Sequence, residues 1–540
     1  MLTKWRCEKY MSTLYSGLDW LVFGLYGAML LGSGLYFNRK KSNNTQDFFL
    51  GGNTIPTWMV AISILATSQS AATFLGGPDQ GYQGDLSYLA TNIGAIIAAV
   101  LVTVILVPKF YQNKVFTVYE LLEKRMGSSA KKQAGIMYLF GRIFASGARL
   151  YMAALAVAMI LFGNIDAENV IIATIILTLV GLLYTVFSGI RTVIYSDVIQ
   201  CAVYVSAAVF VIYFIYTAIP ASFSQIVEAL QHPAPNAPSK LALFKFDWDF
   251  SSAGVFNFWS AITGFMLLNF AAFGLDQDMT QRILTCKNAK EANKAMLLSV
   301  LLVIPVMLLF IVIGLLLFIL YQRPDIMQMS ATGDLIQSFQ GEKITIFMYY
   351  VLNEIPSGVR GLVTIGIIAA ALSTLNSGLN SMSSVIVNDL YRPFKEKQTI
   401  ALPESHYVKA GQVGMIVVAG ALCLMAILCF YWQRYTDMPL LKFALSVMVF
   451  SYSGLLGVYF TALFTQRGNA SSVFWALMIG FIVTLFFQPY VMSIFLPQAW
   501  LFDLGFTWQL CIGSFISLLV CMLGRNKKVV DNNLTASLDS

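Results

Sequence analysis

Apolar runs long enough to cross a bilayer recur along the whole sequence, and short polar segments separate them. A helix needs about 20 mostly apolar residues to cross the hydrocarbon core. Backbone polar groups in lipid must be bonded within the structure itself, which favours helices for runs of this length. We therefore predict an all-α polytopic membrane protein with about 13 transmembrane helices. The runs lie at roughly 17–37, 55–75, 88–108, 135–162, 168–187, 193–217, 254–274, 295–321, 357–388, 410–432, 438–465, 471–492 and 499–523.

The composition agrees with this class and excludes others. Hydrophobic residues make up 58% of the 540 residues and charged residues only 11%, which is far from the balance of a soluble domain. The net charge is +7, but the basic residues lie in short runs between apolar segments, as membrane orientation requires. We therefore predict contact with membrane lipid, no nucleic-acid partner and no obligatory protein partner.

Cysteine and histidine provide no metal centre or catalytic pair. The 7 cysteines are scattered, lack a CxxC spacing and lie mostly inside apolar runs, so neither a disulfide framework nor a metal site follows. The two histidines, His232 and His406, lie in loops, and no nucleophile–base spacing is present. We predict that the protein is not an enzyme and has no cofactor.

The basic residues also predict the orientation. Loops carrying Arg39 to Lys41, Lys109 to Lys132 and Arg282 to Lys294 fall on one side with most of the positive charge. By the positive-inside rule that side is cytoplasmic. We therefore predict a protein of the cell (inner) membrane, with its N-terminus extracytoplasmic and its C-terminus in the cytoplasm. The segment from Met1 to Leu18 resembles a signal peptide, but its apolar run is too long and lacks a cleavage site, so we interpret it as retained. Met11 is an alternative start.

The count and orientation of the runs predict six regions. Runs two to six and seven to eleven form two sets of five with opposite orientation, which is the arrangement of an inverted repeat. The regions are an N-terminal tail with the first helix and a loop at 1–54, a first five-helix repeat at 55–217, an extracytoplasmic loop at 218–253, a second five-helix repeat at 254–465, two C-terminal helices at 466–523 and a cytoplasmic tail at 524–540.

The second run contains polar residues where lipid would require apolar ones. They lie between Ile64 and Pro78, and they are Thr67, Ser68, Gln69, Ser70 and Thr73. Such a run is tolerated only against protein or a water-filled cavity. One interpretation is a discontinuous helix whose free carbonyls coordinate a small cation while its ends meet a solute. The alternative is a helix-packing face, because small residues let helices approach closely.

Charged residues inside other runs require partners. Arg142 and Arg149 are seven residues apart and therefore share a helix face, with Arg149 near the bilayer centre. A central arginine costs about 2.5–3.5 kcal/mol even on a mild insertion scale. Its partner is either a solute carboxylate, held by a bidentate fork, or a salt bridge to Asp197 or Asp276. Asp197 itself marks an ion or proton pathway or caps a helix at the cytoplasmic end.

Four stretches resemble the sodium:solute symporter family, whose members transport sugars, proline, monocarboxylates or sialic acid. The stretches run from Asp47 to Trp58, from Ser188 to Gln200, from Asp276 to Arg282 and from Ala370 to Tyr391. Their order and spacing carry the resemblance over most of the chain. It implies the LeuT-type fold, a five-plus-five inverted repeat, and it favours the discontinuous helix.

The resemblance also implies cation ligands. Ala66, Gln69 and Ala370 would provide backbone carbonyls, and Ser373 and Thr374 hydroxyls, for a coupling sodium ion. The alternative is that these hydroxyls bond back to their own helix. In some members the aspartate matching Asp197 completes a second sodium site with Ser373 and Ser377. Here Asn376 replaces a third serine of those members, which leaves one or two sodium ions open.

For the solute, the resemblance implies contacts at Ser70, Thr73, Asn92 and Asp276, with Arg149 as the carboxylate partner. Sodium–sugar members carry glutamine, glutamate and asparagine where this chain has Thr73, Asn92 and Asp276, which argues against glucose or galactose. We therefore predict sodium-driven import of a small carboxylate-bearing solute, such as sialic acid, a sugar acid or a monocarboxylate, by alternating access. Alternatives are a neutral sugar, polyol or amino acid, proton coupling in place of sodium, and a transporter-like sensor.

Overall fold

The apolar runs coincide with helices in the computed structural model. It describes residues 15–38, 44–186, 189–235, 237–328, 338–339, 342–343, 345–398, 402–436 and 440–525. The predictions for the N-terminal tail, the alternative start, the basic loop at 39–41 and most of the C-terminal tail lie outside these residues. The main helices are α1 (Gly17–Asn38), α2 (Thr57–Ser68), α3 (Ala71–Gln83), α4 (Asn92–Ile105), α5 (Ser128–Phe162), α6 (Ala167–Thr185), α7 (Gly189–Ala218), α8 (Met266–Gly274), α9 (Gln277–Ile283), α10 (Ala289–Gln322), α11 (Val359–Val385), α12 (Glu404–Thr436), α13 (Leu440–Phe464), α14 (Ala470–Phe486) and α15 (Phe506–Met522).

Shorter elements connect these helices. The segment 218–253, predicted as a loop, contains a helix whose start is marked in the sequence: Ser222 and Gln225 form a capping box. Two strands of two residues each, β1 (Ser338–Phe339) and β2 (Glu342–Lys343), pair antiparallel. The short α-helices are Thr45–Leu50, Ser87–Ala90, Val107–Asn113, Glu120–Met126, Phe223–Gln231, Phe258–Ser260, Pro324–Met327, Ile346–Asn353, Arg392–Glu396 and Pro489–Phe495. The remaining turns are the 3-10 helices Gly51–Asn53, Ala253–Phe256 and Gln498–Trp500 and the π-helices Ala261–Phe265 and Ile386–Tyr391.

The predicted helical membrane class is confirmed. Among the described residues, 8 helices are long and apolar enough to cross a membrane, or up to 11 if each bent pair is one span. Most of the described chain is helical, as a lipid environment requires of segments that must satisfy their own backbone groups.

The predicted discontinuous helix is also confirmed. Helix α2 ends at Ser68, and α3 begins at Ala71. Between them Gln69 has φ −93° and ψ 91°, and Ser70 has φ −91° and ψ 176°, so both are extended. Two extended residues interrupt the helical hydrogen bonding and leave backbone groups free at the break.

A second break, which the sequence analysis did not predict, lies between α8 and α9. The helical segment Phe258–Gly274 and α9 are bent by 58°, and Asp276 caps α9 by accepting a hydrogen bond from the Asp278 backbone N–H. Helices α2 and α3 open the first set of five, and α8 and α9 open the second. The two sets therefore match in this feature, as a five-plus-five repeat requires.

Helix α3 is held by direct backbone contact with α10. A Cβ atom added at Gly314 would lie 1.9 Å from the Pro78 carbonyl oxygen, and one at Gly81 would lie 2.2 Å from the Ile311 carbonyl oxygen. Glycine alone allows this approach, as is common where membrane helices pack tightly. The far half of the first broken helix is therefore fixed against α10.

Lys240, from the segment between α7 and α8, closes the C-terminal end of α3. Its ammonium group donates to the carbonyls of Tyr82 at 2.7 Å and Gly84 at 2.8 Å and lies 4.2 Å from the Phe318 ring centroid. A cation suits the negative end of the helix dipole. Burial nevertheless lowers the pKa of Lys240 to about 8, although nearby Asp85 favours the charged form.

This shift predicts a pH dependence of stability. An unfolded lysine titrates near 10.4, so between about pH 8 and pH 10 the unfolded state binds more protons and the stability that Lys240 confers rises with pH. We expect the melting temperature of wild type minus that of Lys240→Gln to increase over this range in detergent. The exposed Lys290→Gln variant serves as the control. A difference that falls with pH would contradict the prediction.

Candidate solute and cation site

The break between α2 and α3 opens onto a central cavity of about 130 Å³. Helices α3, α4, α5, α8, α10 and α13 contribute to its wall. All the predicted solute contacts line it, and they are Ser70, Thr73, Asn92, Arg149 and Asp276. The volume is close to that of an engineered cavity of about 150 Å³ that holds benzene. The structure thus brings together residues from distant parts of the chain around a space suited to a small molecule.

Three of these residues offer polar groups to the cavity. The hydroxyls of Ser70 and Thr73 make no hydrogen bond to any residue that the structure describes, and both side chains are almost buried. The Asn92 amide nitrogen donates to the Leu89 carbonyl at 2.8 Å, which leaves its carbonyl oxygen as an acceptor. A ligand in the cavity would therefore meet unpaired hydroxyls and an amide oxygen.

The two arginines of α5 differ in their partners. Arg142 is buried and forms salt bridges with Asp276, at 3.0 Å, and with Asp278. The guanidinium of Arg149 lies 3.1 Å from the Met448 sulfur and contacts no carboxylate among the described residues. The salt bridge to Asp276, which was the alternative for Arg149, is formed by Arg142 instead. Arg149 lines the cavity as a cation without an acidic partner among the described residues.

Asp276 lies in the cavity wall, but both of its oxygens already accept hydrogen bonds. One accepts from the Asp278 backbone N–H at 2.9 Å. The other accepts from Arg142 at 3.0 Å and from the Tyr452 hydroxyl at 2.6 Å. Asp276 thus positions Arg142 and Tyr452 as well as bordering the solute space.

Asp197 does not cap a helix, contrary to the alternative considered from the sequence. It lies within α7, is fully buried, and pairs with Arg282 at 3.1 Å. It also accepts hydrogen bonds from Ser63 at 2.5 Å and from Ser373 at 2.7 Å. Arg282 was not predicted as its partner. The sequence feature that could have indicated Arg282 is the polar stretch that follows an apolar run directly and ends at this residue.

The residues proposed for the coupling sodium ion offer suitable oxygens. No hydrogen bond to the Ala66 or Gln69 carbonyl is found among the described residues, and α2 packs against α11. Thr374 donates back to the Ala370 carbonyl at 3.3 Å, as the alternative predicted. A hydroxyl that donates one hydrogen bond keeps its lone pairs, so Thr374 and Ser373 can still face a cation.

The second predicted set is brought together only in part. Ser373 touches Asp197, but Ser377 donates its hydrogen bond to Asp278 instead. Asn376 is 1% exposed, and its amide has no hydrogen-bond partner in the part of the chain that the structure describes; its oxygen lies beside Gly181. Asn376 and Ser377 therefore point to different neighbours in this structure.

Relatives of this chain are membrane transporters. The sodium/sialic acid symporter SiaT of Proteus mirabilis is 27% identical over 468 residues, covering 86% of this chain and 88% of the relative. The sodium/glucose cotransporter of Vibrio parahaemolyticus is 25% identical over 522 residues, covering 92% and 90%. The sodium-coupled monocarboxylate transporter 1 of Mus musculus is 26% identical over 475 residues, covering 86% and 72%.

The fold comparison agrees with the predicted LeuT-type architecture. A substrate-bound, outward-open structure of a Na⁺-coupled sialic acid symporter superposes with a TM-score of 0.76 at 24% identity, covering 94% of this chain and 97% of that one. A model of the sodium:solute symporter family matches residues 48–480, which include both broken helices and the whole cavity. The protein therefore belongs to the sodium:solute symporter family, a family of transporters.

Proposed function

We propose that this protein imports a small carboxylate-bearing solute together with sodium by alternating access. The cycle would place the solute in the cavity beside the α2/α3 break and a sodium ion at the carbonyls of Ala66 and Gln69 with oxygens of α11. In this proposal the protein lies in the inner membrane with its N-terminus outside and its C-terminus in the cytoplasm, and sodium is the coupling ion. The repeat boundaries at 55–217 and 254–465 belong to the same proposal.

The observation that carries the solute class is the unpaired guanidinium of Arg149. Arg142, two helical turns away, is neutralised by two carboxylates, whereas the one hydrogen-bond contact of the Arg149 guanidinium among the described residues is with the sulfur of Met448. A cation inside a membrane protein normally has an anionic partner, and a carboxylate can accept two parallel hydrogen bonds from a guanidinium. The named substrates of two relatives, sialic acid and monocarboxylates, are acids and support this class.

The cavity volume favours a compact acid in this conformation. A space of about 130 Å³ is smaller than the 300–1,000 Å³ typical of sites for drug-sized ligands. A short monocarboxylate fits this space as it stands, whereas a sugar acid requires the walls to open. Comparing the uptake of a short monocarboxylate with that of a sugar acid therefore distinguishes the two substrate classes.

The experiment is uptake of labelled acids, with sugars alongside, into proteoliposomes with an imposed inward sodium gradient. We expect sodium-dependent uptake of an acid and none of a neutral sugar. Uptake that follows a proton gradient and ignores sodium would contradict sodium coupling. Uptake of sugars alone would contradict the carboxylate class while leaving the family assignment intact.

The driving force also reports the stoichiometry. One sodium ion moving with one monovalent anion carries no net charge, so only the chemical gradient acts, about 1.4 kcal/mol for each tenfold ratio. A second sodium ion would add its own gradient and about 2.3 kcal/mol per 100 mV of membrane potential. Uptake of a monovalent acid is therefore measured at several clamped potentials. Uptake that does not change with potential indicates one sodium ion, and uptake that increases with a more negative interior indicates two.

A specific test of the cation site is Ser373→Ala. Loss of an oxygen that faces the ion is expected to raise the half-saturating sodium concentration about tenfold or more, a change of about 1.4 kcal/mol per factor of ten. Ser383→Ala is the matched control, because Ser383 is a buried serine of the same helix whose hydroxyl donates to the Gly411 carbonyl at 2.6 Å. Equal sodium dependence in both variants would remove Ser373 from the cation site.

A further inference from the structure

Two grooves lie side by side on the outer surface of the protein, where α5 and α12 begin and α11 ends. Lys132 and Phe394 line the first groove, and Lys409 lines the second. Ile386 and Tyr391, the first and last residues of the π-helix that continues α11, line both grooves. These two residues therefore form a ridge between the grooves, which we call the Tyr391 ridge.

Helix α12 carries a cation followed by apolar side chains along the second groove. Lys409, Val413 and Val417 are four residues apart and therefore lie on one face of the helix, and all three line the groove. Val413 is 60% exposed and Val417 is 64% exposed. At about 1.5 Å per residue the row is about 12 Å long. It places a positive charge near the end of the helix and an apolar strip toward the middle of the span.

Helix α5 repeats this pattern beside the first groove. Lys132, Ile136 and Phe140 have the same spacing of four residues. Lys132 lines the groove, and the two exposed apolar side chains continue the same helix face toward the middle of the span. Two cations, each at the start of an apolar strip, therefore flank the Tyr391 ridge.

The two groove lysines make no salt bridge to any residue that the structure describes. Lys131, which precedes one of them in the chain, instead pairs with Glu123 at 2.9 Å. A lysine ammonium group has three N–H donors, and long basic side chains near a membrane surface keep their charged ends in the polar layer. The ammonium groups of Lys132 and Lys409 are therefore available to an anion from outside the protein.

The Tyr391 ridge adds polar groups between the two lysines. The Tyr391 hydroxyl lies 2.9 Å from Nε2 of His406, which also lines the second groove. The ammonium group of Lys395 lies 5.8 Å from the centroid of the Tyr391 ring. Tyrosine is common where membrane proteins meet lipid headgroups. A third cation and two hydrogen-bonding side chains therefore lie at the ridge.

We propose that the two grooves together bind one anionic phospholipid, with its phosphate near Lys132 and Lys409 and its acyl chains along α5 and α12. Basic pockets between membrane helices on the cytoplasmic side bind anionic headgroups, and the orientation proposed above puts this end of the helices on that side. A free phosphate has no chains that could cover Val413 and Val417. The combination of cations and apolar strips is what identifies a lipid as the ligand.

The test is binding of phosphatidylglycerol to the purified protein in detergent, measured as lipid adducts by native mass spectrometry over a range of lipid concentrations. Phosphatidylcholine with the same chains and no net charge is the comparison lipid. We expect phosphatidylglycerol to bind about 25-fold more tightly, since each of the two lysines contributes about fivefold. Equal affinity for the two lipids would overturn the inference. So would displacement of the lipid by glycerol 3-phosphate, which has the phosphate and no chains.

Lys132→Gln combined with Lys409→Gln should abolish this preference and leave the binding of phosphatidylcholine unchanged. Lys290→Gln combined with Lys294→Gln is the matched control, because both are exposed lysines near the start of α10 and neither lines the two grooves. A preference that survives in the groove variant contradicts the inference, as does an equal loss in the control.

Ala410→Phe tests the apolar part of the site. Ala410 is half-buried and lines the second groove, so a phenyl ring there would fill the groove without changing the charge. We expect both lipids to bind about tenfold more weakly, the effect of removing about two methylene groups from apolar contact. Leu424→Phe, at a residue of α12 that is 61% exposed and lies outside the groove, is the control.

Unchanged binding in Ala410→Phe would place the acyl chains elsewhere and overturn the site. All these substitutions lie on the surface, and the melting temperature of each variant in detergent verifies its fold. None of the measurements involves transport, so their outcome is independent of the proposed function.

Discussion

Replacing Arg149 with glutamine is expected to lower kcat/KM for the carboxylate solute by a factor of about 30 to several thousand. Removing one partner of a buried, hydrogen-bonded charge pair costs about 2–5 kcal/mol, and about 1.4 kcal/mol corresponds to a factor of ten. Arg149 is the cavity arginine without a carboxylate among the described residues, so its removal leaves no unpaired protein charge behind. The loss therefore belongs to the solute, and protein stability should change little. The measurement is initial uptake over a range of solute concentrations.

Two comparisons make this result specific. Arg149→Lys keeps the charge but loses the planar fork, so we expect it to recover part of the affinity and not all of it. An amide analogue of the solute lacks the carboxylate, and its weak transport should be the same in wild type and Arg149→Gln. An equal loss of transport for the acid and the amide would indicate that Arg149 has a structural role and does not bind the carboxylate.

Replacing Arg282 with glutamine is expected, unlike Arg149→Gln, to cause a large loss of protein stability. Arg282 is fully buried and pairs with Asp197 and Asp278, and its Nε donates to Ser63 at 2.8 Å. Breaking a buried pair leaves an uncompensated charge and costs about 3–5 kcal/mol. Here one substitution leaves two carboxylates short of a partner, so we expect the effect at the upper end of this range.

The measurement is thermal or denaturant unfolding in detergent, with Arg392→Gln as the control. Arg392 pairs with Glu404 at 2.8 Å, but the glutamate side chain is 47% exposed, and such pairs contribute about 0–1 kcal/mol. We expect the loss from Arg282→Gln to be several times larger. Losses of equal size would show that the buried pairs of Arg282 with Asp197 and Asp278 contribute no more than a surface ion pair.

The two broken helices show how far local sequence could predict this fold. The first break was predictable because polar residues occupy the middle of an apolar run. The second was missed because Asp276 follows the last apolar residues of its run and therefore resembles the start of a loop. Its function as the cap of α9 depends on backbone geometry, and its other contacts come from α5 and α13.

The sequence by itself determined the helical membrane class of the protein, its family, and which polar residues lie within the membrane-spanning runs. Apolar length predicts spans, and motifs in order indicate the family, because both depend on neighbours along the chain. Tertiary structure alone decided which arginine has no carboxylate partner among the described residues. Arg142 and Arg149 share one helix face and one sequence pattern, yet the carboxylate that neutralises Arg142 at 3.0 Å lies 134 residues away. Pairing of buried charges depends on which helices pack together, and a single sequence does not specify that packing.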